Sequence, residues 1–227
     1  VYVAGISAGA AMAVILGATY PDVFAAIGAV AGLEFRAANG LIAGLRAMKH
    51  GGPDPNQQGA TAFQAMSFGL AKRDRRRMPI IIFHGNADSY VHPANADQLV
   101  DQWAVTNHML CGNKDSDPDT AGELTNSSVA GGYAYQKYAY KDAPGRLLME
   151  KWMVEGLGHA WPGSPVPAPY ADPKGPNASE EMWRFFSQTA AESLATPSGR
   201  RMLWDRSVGL LHGAAQYVSE RLRGQKD

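Results

Sequence analysis

Very little in this chain of 227 residues points to a partner that charge or sulfur would recruit. There is one cysteine, Cys111, so no disulfide forms within the sequence, and the thiol says nothing about redox compartment. There is no excess of either charge: Lys and Arg total 21 and Asp and Glu total 21, which removes the electrostatic case for nucleic acid or an anionic membrane surface. The single basic run, Lys72-Arg73-Asp74-Arg75-Arg76-Arg77, precedes an apolar stretch and reads as a solvated loop. No apolar run approaches the roughly 18 residues of a membrane span, and no signal peptide, repeat or low-complexity tract is visible. What remains is ordinary globular composition, 45% hydrophobic and 19% charged, in a chain long enough for one domain with a sizeable core.

The stretch that organises the rest is the first one. Val1-Tyr2-Val3-Ala4 reads as a short strand running into Gly5-Ile6-Ser7-Ala8-Gly9, and the apolar residues 10–16 after it read as a helix. A G-x-S-x-G sequence alone is a weak signal. Between a strand and a helix it becomes a nucleophile elbow, a turn tight enough to hold a serine hydroxyl clear of the sheet, with Gly5 and Gly9 at positions where a Cβ is expected to clash. Tyr20-Pro21-Asp22 ends the helix, and residues 24–32 read as a strand buried on both faces. Strand, helix, strand is the α/β pattern.

Residues 33–77 read as a helical crossover with a lid-like part: helical spacing over 41–48, a break at 51–56 and a second helix over 60–72. Residues 78–83 form the clearest buried strand. It ends at His84-Gly85, before a polar loop and a helix over 94–105. Residues 106–132 are polar and rich in Gly and Pro, and read as an excursion without an element. Residues 133–140 and 146–155 read as a hairpin around Lys141-Asp142-Ala143-Pro144-Gly145. Asn177 and Glu180 resemble a capping box opening a helix over 179–189, with Trp183, Phe185 and Phe186 as packing residues. The expected catalytic domain covers residues 1–190. Residues 191–227 are expected to be a linker and an amphipathic helix with Leu203, Val208, Leu211, Ala215, Val218 and Leu222 on one face.

A serine hydroxyl needs a base within reach, and the base needs a group to fix its tautomer and stabilise the imidazolium. α/β-hydrolases supply these in the chain order Ser, acid, His, each after a strand. Of the six histidines, His84 and His159 follow strands. His84 precedes any acid in the next loop, so the order selects His159 as base and leaves His84 to hold the acid's loop; His50, His92, His108 and His212 are background. Asp88 lies in the loop after the strand, whereas Asp97 and Asp101 fall in the next helix, so Asp88 is the expected acid. The N–H of Ala8, at the start of the elbow helix, is the expected oxyanion donor. The second donor normally comes from a loop after an earlier strand, and no earlier strand is present in this sequence.

The stretches VYVAGISAGAAM at 1–12, YPDVFAA at 20–26, FHGNAD at 83–88 with Val91 and Pro93-Ala94-Asn95, and GLGHAWPG at 156–163 resemble the polyhydroxybutyrate depolymerase-type esterases, a family that includes feruloyl and acetylxylan esterases. The resemblance covers most of residues 1–190. It implies an α/β-hydrolase with a mostly parallel sheet flanked by helices, no metal and no cofactor. It further implies hydrolysis of a small-molecule or polymeric ester through an acyl-serine, triad roles for Ser7, Asp88 and His159, a substrate-lining role for Trp161, and a secreted or periplasmic location. Members resemble one another in having strands and a His-Gly-Cys-type loop before the elbow. The chain is therefore expected to be about the C-terminal two-thirds of an enzyme, with its first strand an exposed edge open to self-association. Two alternatives stay open: a catalytically silent, truncated or partnered scaffold with half an oxyanion hole, and a serine peptidase. Asn126-Ser127-Ser128 and Asn177-Ala178-Ser179 match the glycosylation acceptor pattern, which is too frequent by chance to carry weight.

Overall fold

A computed structural model describes residues 1–68, 76–111, 122–166 and 168–195, the side chains only as far as 192. Residues 1–189 form one compact unit and residues 190–227 a second; the expected C-terminal helix lies outside the described residues.

The order of elements in the first unit is β1 (Val3–Ile6), α1 (Ala8–Thr19), β2 (Ile27–Val30), α2 (Leu41–His50), α3 (Pro55–Ser67), β3 (Ile80–Gly85), α4 (Ala94–Cys111), β4 (Glu123–Ser128), β5 (Ala134–Lys141), β6 (Leu147–Val154), β7 (Trp161–Pro162), β8 (Ala171–Asp172) and α5 (Ala178–Ala195). Six strands make one sheet in the order β1-β2-β3-β6-β5-β4, and β7 and β8 pair separately. The strands β1, β2, β3 and β6 run parallel, so their carboxyl ends share one edge of the sheet. The expected hairpin is present, β5 pairing antiparallel with β6, and its turn closes through Gly145 N–H to Asp142 O at 2.7 Å with Gly145 at φ 84°.

Side-chain alternation along the strands divides the core into two layers. Ile80 and Ile82 of β3 face a layer that includes Val14 of α1, Met66 of α3 and Leu99 and Trp103 of α4. Ile81 and Phe83 face the other, with Trp152 of β6 and Met182, Phe185 and Phe186 of α5. Aromatic contacts tie this second layer together, Phe83 with Trp152 at 5.2 Å and Tyr2 with Phe186 at 4.7 Å between ring centroids. Trp183, expected among the packing residues, is 66% exposed: it lies on the outer face of α5, while Met182, Phe185 and Phe186 take the inner one.

Three other expectations change. Residues 106–132 are not a featureless excursion, because α4 continues to Cys111 and residues 123–128 form β4 along the outer side of β5. Every residue of β4 is exposed, so no apolar alternation marks it; its backbone ladder with β5 holds it. The break at 51–56 ends earlier than expected. Asp54 accepts the N–H of Asn56 and Pro55 occupies the first turn, so α3 begins at Pro55, as a cap followed by proline favours. The two elbow glycines also differ. A Cβ on Gly5 would overlap the backbone of Gly9, while one on Gly9 would meet open space. Gly9 contributes a bare backbone for Gly5 to approach.

Candidate active site

The elbow lies where β1 meets α1. Ser7 has φ 57° and ψ −122°, a left-handed conformation that costs a residue bearing a Cβ of the order of 1–3 kcal/mol. Its N–H donates to Val30 O of the neighbouring strand at 2.9 Å and its carbonyl accepts from Ala11 N–H at 3.0 Å, which anchors the turn on both sides. The hydroxyl caps nothing. Ala8 is the first helical residue, so its N–H has no partner within the helix and lies beside the nucleophile's position.

Asp88 and His159, the expected acid and base, follow β3 and β6, adjacent parallel strands whose last pair is Gly85 with Val154. Their loops are laced together. Asn86 N–H donates to Val154 O at 3.0 Å, Ala87 N–H to Leu157 O at 3.1 Å, and Gly156 N–H to Asn86 Oδ1 at 2.7 Å. The lacing brings Asp88 Oδ2 to 2.8 Å from His159 Nδ1. The other carboxylate oxygen accepts the N–H groups of Tyr90 and Val91, each at 2.9 Å. Both side chains are almost wholly buried. A carboxylate held this way fixes His159 with Nδ1 as donor and Nε2 free, the tautomer a general base requires.

His84 packs beneath the Asp88 loop. Its Nε2 lies 2.9 Å from Val91 O, and since a carbonyl only accepts, Nε2 carries the proton and Nδ1 is bare. Nε2 also lies 3.6 Å from Asp88 Oδ2. Burial pushes the imidazole below its ordinary pKa, partly countered by the Val91 carbonyl and the Asp88 charge, so the ring is held neutral. The crossover helix α2 braces the same loop, through His92 N–H to Met48 O at 2.7 Å and Asn95 Nδ2 to Ala47 O at 3.1 Å.

The structure thus brings Asp88 and His159 together and sets Ser7 at the same sheet edge, at the end of β1. Among the described residues no hydrogen bond joins Ser7 Oγ to His159. Trp161 pairs with Ala171 in the small β7–β8 ladder, and its indole N–H donates to Ser179 Oγ at 3.2 Å. Two residues that the sequence reading passed over border the imidazole instead: Tyr90 at 5.4 Å and Tyr170 at 6.0 Å between ring centroids. Tyr90 was detectable only as an aromatic residue two positions after the acid, and Tyr170 carries no local signal.

A mostly parallel sheet flanked by helices, with a strained serine between strand and helix and an Asp–His pair after neighbouring strands, is the arrangement of the α/β-hydrolase fold. The family model described as esterase PHB depolymerase matches residues 1–125, and the chain belongs to that family. It is 33% identical over 165 residues to the poly(3-hydroxyalkanoate) depolymerase C of Paucimonas lemoignei, covering 73% of this chain and 36% of the relative. It is 27% identical to the feruloyl esterase B of Talaromyces funiculosus, covering 71% and 42%. The chain therefore spans about two-fifths of these relatives' length. Among solved structures, an acetyl xylan esterase from Aspergillus awamori superposes with a TM-score of 0.53 at 20% identity, covering 82% of this chain and 58% of that one. A PHB depolymerase from Penicillium funiculosum does so with the same score and identity, covering 82% and 50%. Both share the fold.

Proposed function

We propose that the chain carries the triad of a serine carboxylic-ester hydrolase of the polyhydroxyalkanoate depolymerase and feruloyl esterase type. The observation that supports it most is the Asp88 Oδ2 to His159 Nδ1 hydrogen bond at 2.8 Å, at the edge of the sheet where β1 delivers Ser7 in a strained turn. In this reading Ser7 Oγ attacks the ester carbonyl while His159 Nε2 accepts its proton, the hydrogen bond between them closing as substrate enters. Asp88 holds the imidazolium. The tetrahedral oxyanion takes the Ala8 N–H, with the α1 dipole behind it. Collapse expels the alcohol, protonated by His159, and leaves an acyl-serine; water activated by the same histidine then releases the acid. Trp161, close to the base in sequence, lines the acyl or aromatic site. The family resemblance supports a location outside the cytoplasm; among the described residues no helix is long and apolar enough to cross a membrane.

The test is hydrolysis of p-nitrophenyl butyrate beside the corresponding anilide by the protein and its Ser7→Ala variant. Ester turnover that disappears in the variant, with the anilide untouched, is the expected result. Retained ester turnover in Ser7→Ala would remove the triad, and faster cleavage of the anilide would make the protein a peptidase.

A further inference from the structure

Two tyrosines from different loops stand against the imidazole of His159. Tyr90 follows the acid turn, with its N–H on Asp88 Oδ1, and lies tilted over the ring at 5.4 Å. Tyr170 precedes β8 and meets the ring edge-on at 6.0 Å. Neither side chain is part of the core: Tyr90 is 55% exposed and Tyr170 61%.

Tyr170 is also held in a left-handed conformation, φ 60°, which is costly for a residue with a bulky side chain. The backbone around it over-determines that geometry. Its carbonyl accepts Trp161 N–H at 2.7 Å, Ala171 pairs with Trp161 in the β7–β8 ladder, and Asp172 O accepts Gly163 N–H at 2.7 Å. Asp172 is itself fixed by Tyr133 Oη at 2.9 Å. Strain is retained here to hold a largely exposed ring against the base. The hydrogen bonds of the β7–β8 ladder offset it, and the ring itself, largely exposed, gains no burial from it.

If His159 is the base, as proposed above, it is also the group that hands a proton to the departing oxygen, so surfaces bordering it border the alcohol part of the ester. We infer that Tyr90 and Tyr170 form an aromatic clamp for the leaving group and favour esters whose alcohol presents a flat apolar face over those with a flexible linear one. Stacked or edge-on contacts with two rings act on such a face and gain little from a single alkyl chain. The rings are specificity-determining and take no part in proton transfer.

Benzyl acetate and n-butyl acetate share an acyl group and have alkyl alcohols of similar reactivity, so their comparison isolates the clamp. In the full chain carrying Ser7→Ala, which binds substrate without turning it over, adding Tyr90→Ala and Tyr170→Ala is expected to weaken benzyl acetate binding, followed by NMR titration, about tenfold. The corresponding Phe pair keeps the ring faces and should stay within about twofold. With Ser7 intact, the Ala pair should lower kcat/KM for benzyl acetate about tenfold through KM and change butyl acetate by less than about twofold. Unchanged benzyl acetate binding, or an equal loss for both esters, would overturn the clamp. Failure of the esterase reading looks different: with Ser7 intact neither ester would be hydrolysed, while ring-dependent binding of benzyl acetate persisted.

Discussion

The carbonyl of Leu157 packs directly over the α-carbon of Gly85, so close that a Cβ at residue 85 would overlap it. This contact joins the strand that leads to Asp88 to the loop that carries His159, and the hydrogen bonds from Asn86 and Ala87 cross the same gap. Gly85→Ala is therefore expected to push the two loops apart. The strain should cost about 1–3 kcal/mol of stability, as overpacking does, read by denaturant unfolding. Ester hydrolysis should fall much further than the lost folded fraction accounts for, because the Asp88–His159 distance changes. A variant with full activity would show that the lacing does not set the pair's geometry.

Asp88→Asn tests the pair directly. Both oxygens of the carboxylate are occupied, Oδ2 by His159 and Oδ1 by the N–H groups of Tyr90 and Val91. An amide in this place retains an oxygen for one side only. If its oxygen keeps the backbone N–H groups, its NH2 faces Nδ1 and stabilises the wrong tautomer of His159. The expected loss in kcat is about 10⁴-fold, with a folded protein by circular dichroism. A loss below tenfold would separate Asp88 from the chemistry.

How much of this was legible from the residues alone follows from where the information lies. Ser7, Asp88 and His159 each follow a strand written in apolar residues, and a parallel sheet with both faces covered turns chain order into a common edge; the pairing of Asp88 with His159 was therefore readable. The hairpin was readable from Pro144 and Gly145 between two alternating runs. β4 was not, because a fully exposed strand carries no pattern of burial and is specified by the backbone of β5. Trp183 was misplaced because aromaticity was taken for burial, whereas the helix turns it outward, between Met182 and Phe185 on the inner side. Tyr170 reaches His159 through the β7–β8 ladder, two residue pairs long, and so short a ladder leaves almost no trace in sequence.

His84 gives the fold an acid-sensitive point. Its native pKa lies below the ordinary histidine value because the ring is buried, whereas in the unfolded chain it titrates near 6.5. Below about that pH the unfolded state binds a proton that the native state refuses, so stability falls as pH drops from there toward the lowered native value. His84→Gln lacks this proton, and its amide can still donate to Val91 O. The variant should show a flatter dependence of unfolding free energy on pH between about 6.5 and 5 than the parent does. Parallel curves in that window would mean that His84 is charged, or solvated, in the native state.

Glu34 acts in the opposite direction. Its residue is only 3% exposed, and among the described residues neither carboxylate oxygen has a hydrogen-bond partner. Burial first, and then the charges of Asp54 at the start of α3 and Asp101 on α4, push its pKa from 4.5 to about 8. Across that interval the folded protein keeps the proton and the unfolded chain releases it, so stability declines as pH rises from about 4.5 to about 8, by at most about 1.4 kcal/mol per pH unit. Above the native value, the buried charge stands unpaired beside the 51–54 segment, whose Gly52 already packs against Glu34 Oε1. Glu34→Gln is neutral at every pH and nearly the same size. It should match the parent near pH 4.5 and exceed it increasingly up to pH 8, in thermal or urea unfolding, with ester hydrolysis unchanged at pH 6. The difference between the two proteins reports the proton and not the packing, because the shape of the side chain is conserved. A constant difference across the range would show that Glu34 ionises normally in the folded state and that water, rather than a proton, satisfies its oxygens.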